Sequence, residues 1–183
     1  MIPPATLVIG GARSGKSRHA EALARASGLE RVYLATATAW DDEMRDRIAQ
    51  HRETRAFDGW RTVEEPLALT ETLRREAAPA RVVLVDCLTL WLTNVMLGAS
   101  PESARSAVEA ACAALAGVVP GLAGPAVFVS NEVGWGIVPD NRLGRDFRDV
   151  QGLLNQRMAE VCGRVVLVTA GLPLVLKGGP ASA

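Results

Sequence analysis

Eight consecutive residues, Gly10 to Ser17 (GGARSGKS), fit the spacing G-x-x-x-x-G-K-[ST]. That pattern handles phosphate. Gly10, Gly11 and Gly15 let the backbone fold around an anion, and Ala12, Arg13 and Ser14 complete the loop. Lys16 is placed to reach the terminal phosphates of a nucleotide as a compact charge, and Ser17 to offer its hydroxyl to Mg²⁺. The metal needs a carboxylate from the end of a neighbouring strand. Asp86, closing the apolar run Val82–Val85, has that form; it could also cap a helix starting at Leu88.

A second constellation surrounds one of only two histidines. In DDEMRDRIAQHRETR, His51 has Arg47 four residues before it and Arg55 four after it, with Arg52 adjacent. On a helix the four-residue spacings fall on one stripe. Positive neighbours disfavour imidazolium, so the ring stays neutral and nucleophilic near pH 7. The same guanidinium groups could neutralise a phosphoryl group under attack and a departing pyrophosphate. An amphipathic surface helix whose histidine happens to fall among arginines explains the pattern equally well. His19, just after the phosphate loop, reads as a packed helical residue.

These residues need a scaffold. Short apolar runs, Thr6–Ile9, Val32–Ala35, Val82–Asp86, Val127–Ser130, Val165–Thr169 and Leu174–Lys177, predict strands. Several lack alternation, as strands covered on both faces do. Between them the patterns predict helices over Lys16–Ala26, Asp41–Arg55, Leu67–Ala77, Ser103–Leu115 and Arg142–Val161. Such alternation implies one α/β domain over 1–183, a mostly parallel sheet with helices on both faces, and a frayed tail over 178–183. Ligands then bind beyond the carboxyl ends of the strands. The segment Asn131–Asn141 (NEVGWGIVPDN) should share that edge, its glycines Gly134 and Gly136 permitting a tight path. It reads either as site or as a loop that caps the sheet.

Composition narrows the partners. Twenty basic residues balance twenty acidic ones, which argues against a dedicated nucleic-acid binder. Eighteen of the basic residues are arginine, so Lys16 stands out as a lysine kept where a point charge suits phosphate. Three scattered cysteines form no metal or disulfide framework and fit a reducing cytoplasm. No export signal is visible, and the uncharged run Ala110–Asn131 is broken by Pro120, Gly121, Gly124 and Pro125, which removes it as a membrane span. A Ras-like guanine reader is absent, because neither Lys16 nor Lys177 is followed two residues later by Asp; HRD and DFG are absent too.

The blocks GGARSGKSRHAE, YLATATAWDDEMRDRIAQHRETR, WRTVEE and NEVGWGIVPDNRLGRDFRDVQGLLNQRMAE closely resemble the bifunctional adenosylcobinamide kinase / adenosylcobinamide-phosphate guanylyltransferase family. The likeness runs in order from about Leu7 to Lys177. It implies a RecA-like P-loop NTPase fold and two reactions. Adenosylcobinamide takes a γ-phosphoryl group from ATP or GTP; GTP then donates GMP to that phosphate through a GMP-histidine intermediate. The family's R-I-x-x-H falls on Arg47, Ile48 and His51, which makes His51 the implied nucleophile beside Lys16. The implied nucleotide contacts are Gly10–Ser17, Ala35, Thr36, Ala37, Arg52, Glu53, Thr54, Arg55, Glu64 and Asp86. Some family members carry Glu in place of Asp86, so the shorter side chain here implies a metal contact through water. A homo-oligomer, often a trimer, is also implied. The rival readings are a plain small-molecule kinase with a structural His51, and a P-loop ATPase acting as a regulatory or assembly module.

Overall fold

The computed structural model describes residues 3–38, 58–100 and 103–179. The helix predicted over Asp41–Arg55, with Arg47, His51, Arg52, Glu53, Thr54 and Arg55, lies outside them. So does the tail from residue 180.

Seven strands form one sheet: β1 (Ala5–Gly10), β2 (Glu30–Ala35), β3 (Trp60–Glu64), β4 (Arg81–Asp86), β5 (Ala126–Asn131), β6 (Arg164–Thr169) and β7 (Leu172–Lys177). Their spatial order is β3-β2-β4-β5-β1-β6-β7. Every pairing is parallel except the β6–β7 hairpin. The helices are α1 (Lys16–Ala26), α2 (Leu69–Glu76), α3 (Leu88–Gly98), α4 (Ala104–Val118) and α5 (Arg142–Val161), with a 3₁₀ turn at Val119–Gly121. This is the RecA-like α/β architecture that the resemblance implies.

The two faces are covered unequally. Ala20 and Ala24 of α1 pack with Val8, Tyr33, Leu84, Val127 and Val129 on one side. On the other, Leu69, Leu73, Trp91, Leu115, Leu154 and Met158 from α2 to α5 pack on Leu7, Leu34, Val83 and Phe128. Burial on both sides explains why β1, β4 and β5 are apolar without alternation. Trp91 and Phe128 are the largest of the fully buried side chains, and burying each contributes about 2–3 kcal/mol.

Two elements escape the sequence patterns. Helix α3 (LTLWLTNVMLG) is apolar nearly all round and so carries no 3.6-residue stripe. Its N-cap is Cys87, whose Sγ accepts from Leu90 N at 3.5 Å, so Asp86 does not cap it. Strand β3 is a short edge strand with only Trp60 buried, too weak a period-2 signal to stand alone. The uncharged run after Ala110 resolves into α4, the 3₁₀ turn and β5, and no described helix is long and apolar enough to cross a membrane.

Glu76, at the end of α2, is buried and accepts from Arg61 of β3 and, at 3.4 Å, from Arg75 Nε. The Arg61 hydrogen bond, outweighing the cost of burial, holds its carboxyl below the usual value. Its stabilising charge is therefore fully present above pH 4.5 and is lost as pH falls through the lower folded value. Glu76→Gln should lower stability by about 1–2 kcal/mol at pH 7, discounted for the half-exposed arginine. Urea titrations should show that deficit shrinking as the pH is taken well below 4.5. A deficit unchanged with pH would contradict the ion-pair account.

Candidate active site

The phosphate loop is built on a backbone contact. A Cβ on Gly10 would lie 2.4 Å from Val168 O and 2.6 Å from Ser14 Oγ, so only glycine lets the loop turn back beside β6. Gly15 sits at φ 92°, a left-handed conformation that glycine adopts without strain, and starts α1 directly. The hairpin between β6 and β7 braces the loop: Gly171 N donates to Ser14 O at 2.9 Å. Arg13, Ser14, Gly15, Lys16 and Ser17 then line a cleft of about 540 Å³, with Ala170 and Gly171 as its other wall. Lys16 is 9% exposed, and its Nζ donates to Gly11 O at 3.0 Å, which holds the ammonium over the loop.

The carboxylates stand along the same edge. Asp86 pairs with Ala35, and Ala35 pairs with Glu64, so the three occupy one row across β4, β2 and β3. Residues paired across a sheet face the same way. At strand spacing, Glu64 and Asp86 are separated by roughly 10 Å of backbone. Asp86 faces α1, since its Oδ2 accepts from Tyr33 Oη at 2.7 Å and Tyr33 packs with Ala20 and Ala24. One expectation needs correcting: β4 does not neighbour the phosphate-loop strand, because β5 is inserted between them.

The oxygens of Ser17 and Asp86 suit a hard cation. Among the described residues no cluster of three His, Cys, Asp or Glu could hold a metal alone. Mg²⁺ does not need one, because it keeps waters and leans on substrate phosphates.

Thr36 occupies a different kind of position. Its hydroxyl donates to Cys87 O at 2.7 Å and accepts from Cys87 N at 2.9 Å. Its backbone N–H donates to Asp86 O, and its carbonyl accepts from Asn94 Nδ2 at 2.8 Å. Its hydroxyl and N–H thus tie the end of β2 to the end of β4, and its carbonyl ties it to α3, with Ala35 and Ala37 on either side. All three cysteines are buried, and burial raises the thiols of Cys87 and Cys112 to about 11 and Cys162 to about 12. His19 has its pKa lowered, first by burial and then by Arg164.

Asn131 and Glu132 lie at the site edge, as their place after a strand predicts: Asn131 pairs with Gly10, and Glu132 N donates to Gly10 O at 3.1 Å. Gly134 and Gly136 adopt no left-handed φ and face open space, so that path needs no glycine there. Ala170 and Gly171 line the cleft and Tyr33 donates to Asp86, and none of the three was singled out from the sequence. The available signal was the Ala170–Gly171 turn after β6, at the edge where ligands bind.

The family model for cobinamide kinase / cobinamide phosphate guanyltransferase matches residues 6–176. The bifunctional adenosylcobalamin biosynthesis protein CobP of Pseudomonas aeruginosa is 53% identical over 174 residues, covering 95% of this chain and 98% of that protein. The corresponding protein CobU of Escherichia coli is 40% identical over 180 residues, with 93% and 98% covered. Among solved structures, a Pyrococcus horikoshii protein superposes with TM-score 0.55 at 12% identity, covering 99% of this chain and 90% of that one. The flagellar accessory protein FlaH of Methanocaldococcus jannaschii gives 0.50 at 11%, covering 99% and 84%. At such identities the likeness is one of fold alone.

Gly10→Ala should abolish tight nucleotide binding while the chain remains folded. The new methyl must displace either Val168 O or the loop, and the loop has less packing. Fluorescent-nucleotide titration with circular dichroism checks this; binding within about twofold of wild type would contradict the close-approach account.

Proposed function

Because the chain belongs to the cobinamide kinase / cobinamide phosphate guanyltransferase family, we propose that it runs both reactions of that family through the edge described above. The observation that carries the reading is the shared placement of phosphate loop and carboxylates. Lys16 stands at one end of that edge, and Asp86 and Glu64 occupy one in-register row along it.

In the first reaction the hydroxyl of the aminopropanol arm of adenosylcobinamide attacks the γ-phosphorus of ATP or GTP. The new O–P bond replaces the bond to the diphosphate, and the hydroxyl proton is lost. In the second, His51 attacks the α-phosphorus of GTP, forming N–P as the bond to pyrophosphate breaks. An oxygen of adenosylcobinamide phosphate then displaces the imidazole, giving adenosylcobinamide-GDP. Splitting the transfer lowers each barrier. Loop N–H groups and Lys16 orient the triphosphate and meet charge as it develops on the leaving group. Arg52, Glu53, Thr54 and Arg55, beside His51, and Ala35, Thr36, Ala37 and Glu64 complete the proposed nucleotide surround. Ser17 and Asp86 would hold Mg²⁺, which supplies charge neutralisation to the phosphates.

The partners are adenosylcobinamide and its phosphate, with no nucleic acid, in the cytoplasm. A homo-oligomer, a trimer by resemblance, is supported by β7, where Leu172, Leu174 and Leu176 are each more than half exposed on an edge strand.

Two measurements test the activity. Mass spectrometry of cobinamide incubated with the enzyme, GTP and Mg²⁺ should detect both the phosphate and the GDP ester. Absence of the GDP ester would favour a plain kinase, and absence of both an ATPase module. With α-labelled GTP, His51→Ala should cut the acid-labile, base-stable GMP adduct at least ~100-fold. An undiminished adduct would remove His51 as nucleophile.

A further inference from the structure

Arg164 opens β6, and its register partner on β1 is Thr6. Residues paired across a sheet face the same way. Along these two strands Val8, Val166 and Val168 pack with Ala20 and Ala24 of α1, and alternation puts Thr6 and Arg164 on that face as well. They stand at the end of the sheet away from the phosphate loop, Thr6 lying roughly 13 Å of strand before Gly10. Here the sheet, the last turn of α1 and the chain entering β5 leave a cavity of about 710 Å³. Pro4, Leu23, Leu29, Pro79, Leu122 and Pro125 give it apolar walls, and among the described residues no Asp or Glu lines it.

Polar atoms in and beside this cavity lack partners. Thr6 is 0% exposed, and its Oγ1 makes no hydrogen bond among the described residues. Arg164 Nε is likewise buried and unbonded, and so is His19 Nε2, one turn of α1 before Leu23. Arg25, Arg61, Arg75 and Arg81 each have a carboxylate partner; among the described residues Arg164 has none. The other hydroxyl on the cavity wall is occupied, since Ser27 Oγ donates to Ala24 O at 2.6 Å and accepts from Leu29 N at 3.2 Å. Buried donors left unmet cost stability, and an arginine in such a place is ordinarily paired. A guanidinium fork beside a hydroxyl, facing a cavity without acid, matches the oxygens of an anion.

We propose that this cavity binds a small organic anion, its carboxylate or phosphate oxygens accepting from the Arg164 guanidinium and the Thr6 hydroxyl while an apolar body lies against the leucine and proline walls. Small-molecule sites have this volume and this make-up, mostly apolar with a few convergent polar groups. The site is separate from the nucleotide edge and does not rest on the function proposed there. Helix α1 touches both, contributing Lys16 to the phosphate loop at one end and Leu23 and Ala26 to the cavity at the other.

Benzoate and phenyl phosphate share an aromatic body and differ in headgroup, so titration calorimetry of the full chain with each tests the site. At least one should bind with a millimolar or tighter Kd, and which one does so identifies the headgroup. Its counterpart without the ring, acetate or inorganic phosphate, should bind at least about tenfold more weakly. Arg164→Gln should cut the affinity for the ring-bearing probe at least about tenfold. Thr6→Val should cut it about threefold or more while the thermal midpoint holds or rises, because the hydroxyl it deletes is buried and unbonded. That variant keeps the inference open to refutation where Arg164→Gln fails to fold. Lys16→Ala should bind the probe as wild type does; loss there would put the probe in the phosphate loop. No binding of either probe at about 10 mM, affinity unchanged in Thr6→Val or in folded Arg164→Gln, or loss in Lys16→Ala overturns the proposal.

Discussion

The loop that receives phosphate depends on the absence of a side chain at Gly10. The carbonyl of Val168 on one side and the hydroxyl of Ser14 on the other leave no volume for a methyl group. Closure at that point lets the loop fold back, brings Gly171 N onto Ser14 O, and sends Lys16 across to Gly11 O. The position of the ammonium is thus a consequence of backbone packing. Interiors are dense enough that one methylene is felt, so the chemistry at Lys16 and Ser17 inherits its precision from β1 and β6 below.

From that point outward, the sheet order organises the edge. With β5 inserted between β1 and β4, the Asp86 carboxylate stands one strand further from the loop than a simple neighbour would. The inserted strand ends at Asn131, which with Glu132 just beyond it forms a polar pair that α5 and Thr89 hold in place. Tyr33 and Thr36 do comparable work on the other flank, tying β2 to the end of β4. The site edge is held by hydrogen bonds between elements far apart in sequence, while apolar packing beneath supplies the stability.

Much of this was legible in the residues. Gly10–Ser17 declares itself because phosphate binding demands glycine and lysine at set spacings, and α1 and α5 were readable to the residue from their apolar stripes. Helix α3 was not, since a helix buried on most sides has no stripe to read. Strand β3 was missed because an edge strand with one buried residue has little period. The row joining Glu64 to Asp86 is a matter of register between strands, and register leaves no mark in a single strand's composition. His51 and its arginines stand outside the described residues, so the role proposed for them rests on their spacing in the sequence and on the family resemblance.

The sequence by itself determined the phosphate loop, the alternation of strands and helices, and the family, because each is written in local spacing or in ordered blocks of residues. Only the tertiary structure decided that β5 separates β1 from β4, that Cys87 and not Asp86 caps α3, and that Asn131 turns toward α1 while its neighbours turn toward α5. The physical reason is range. Spacing along a chain reports what one element needs, but strand order and the direction of a side chain at an edge are set by long-range pairing, which no single segment encodes.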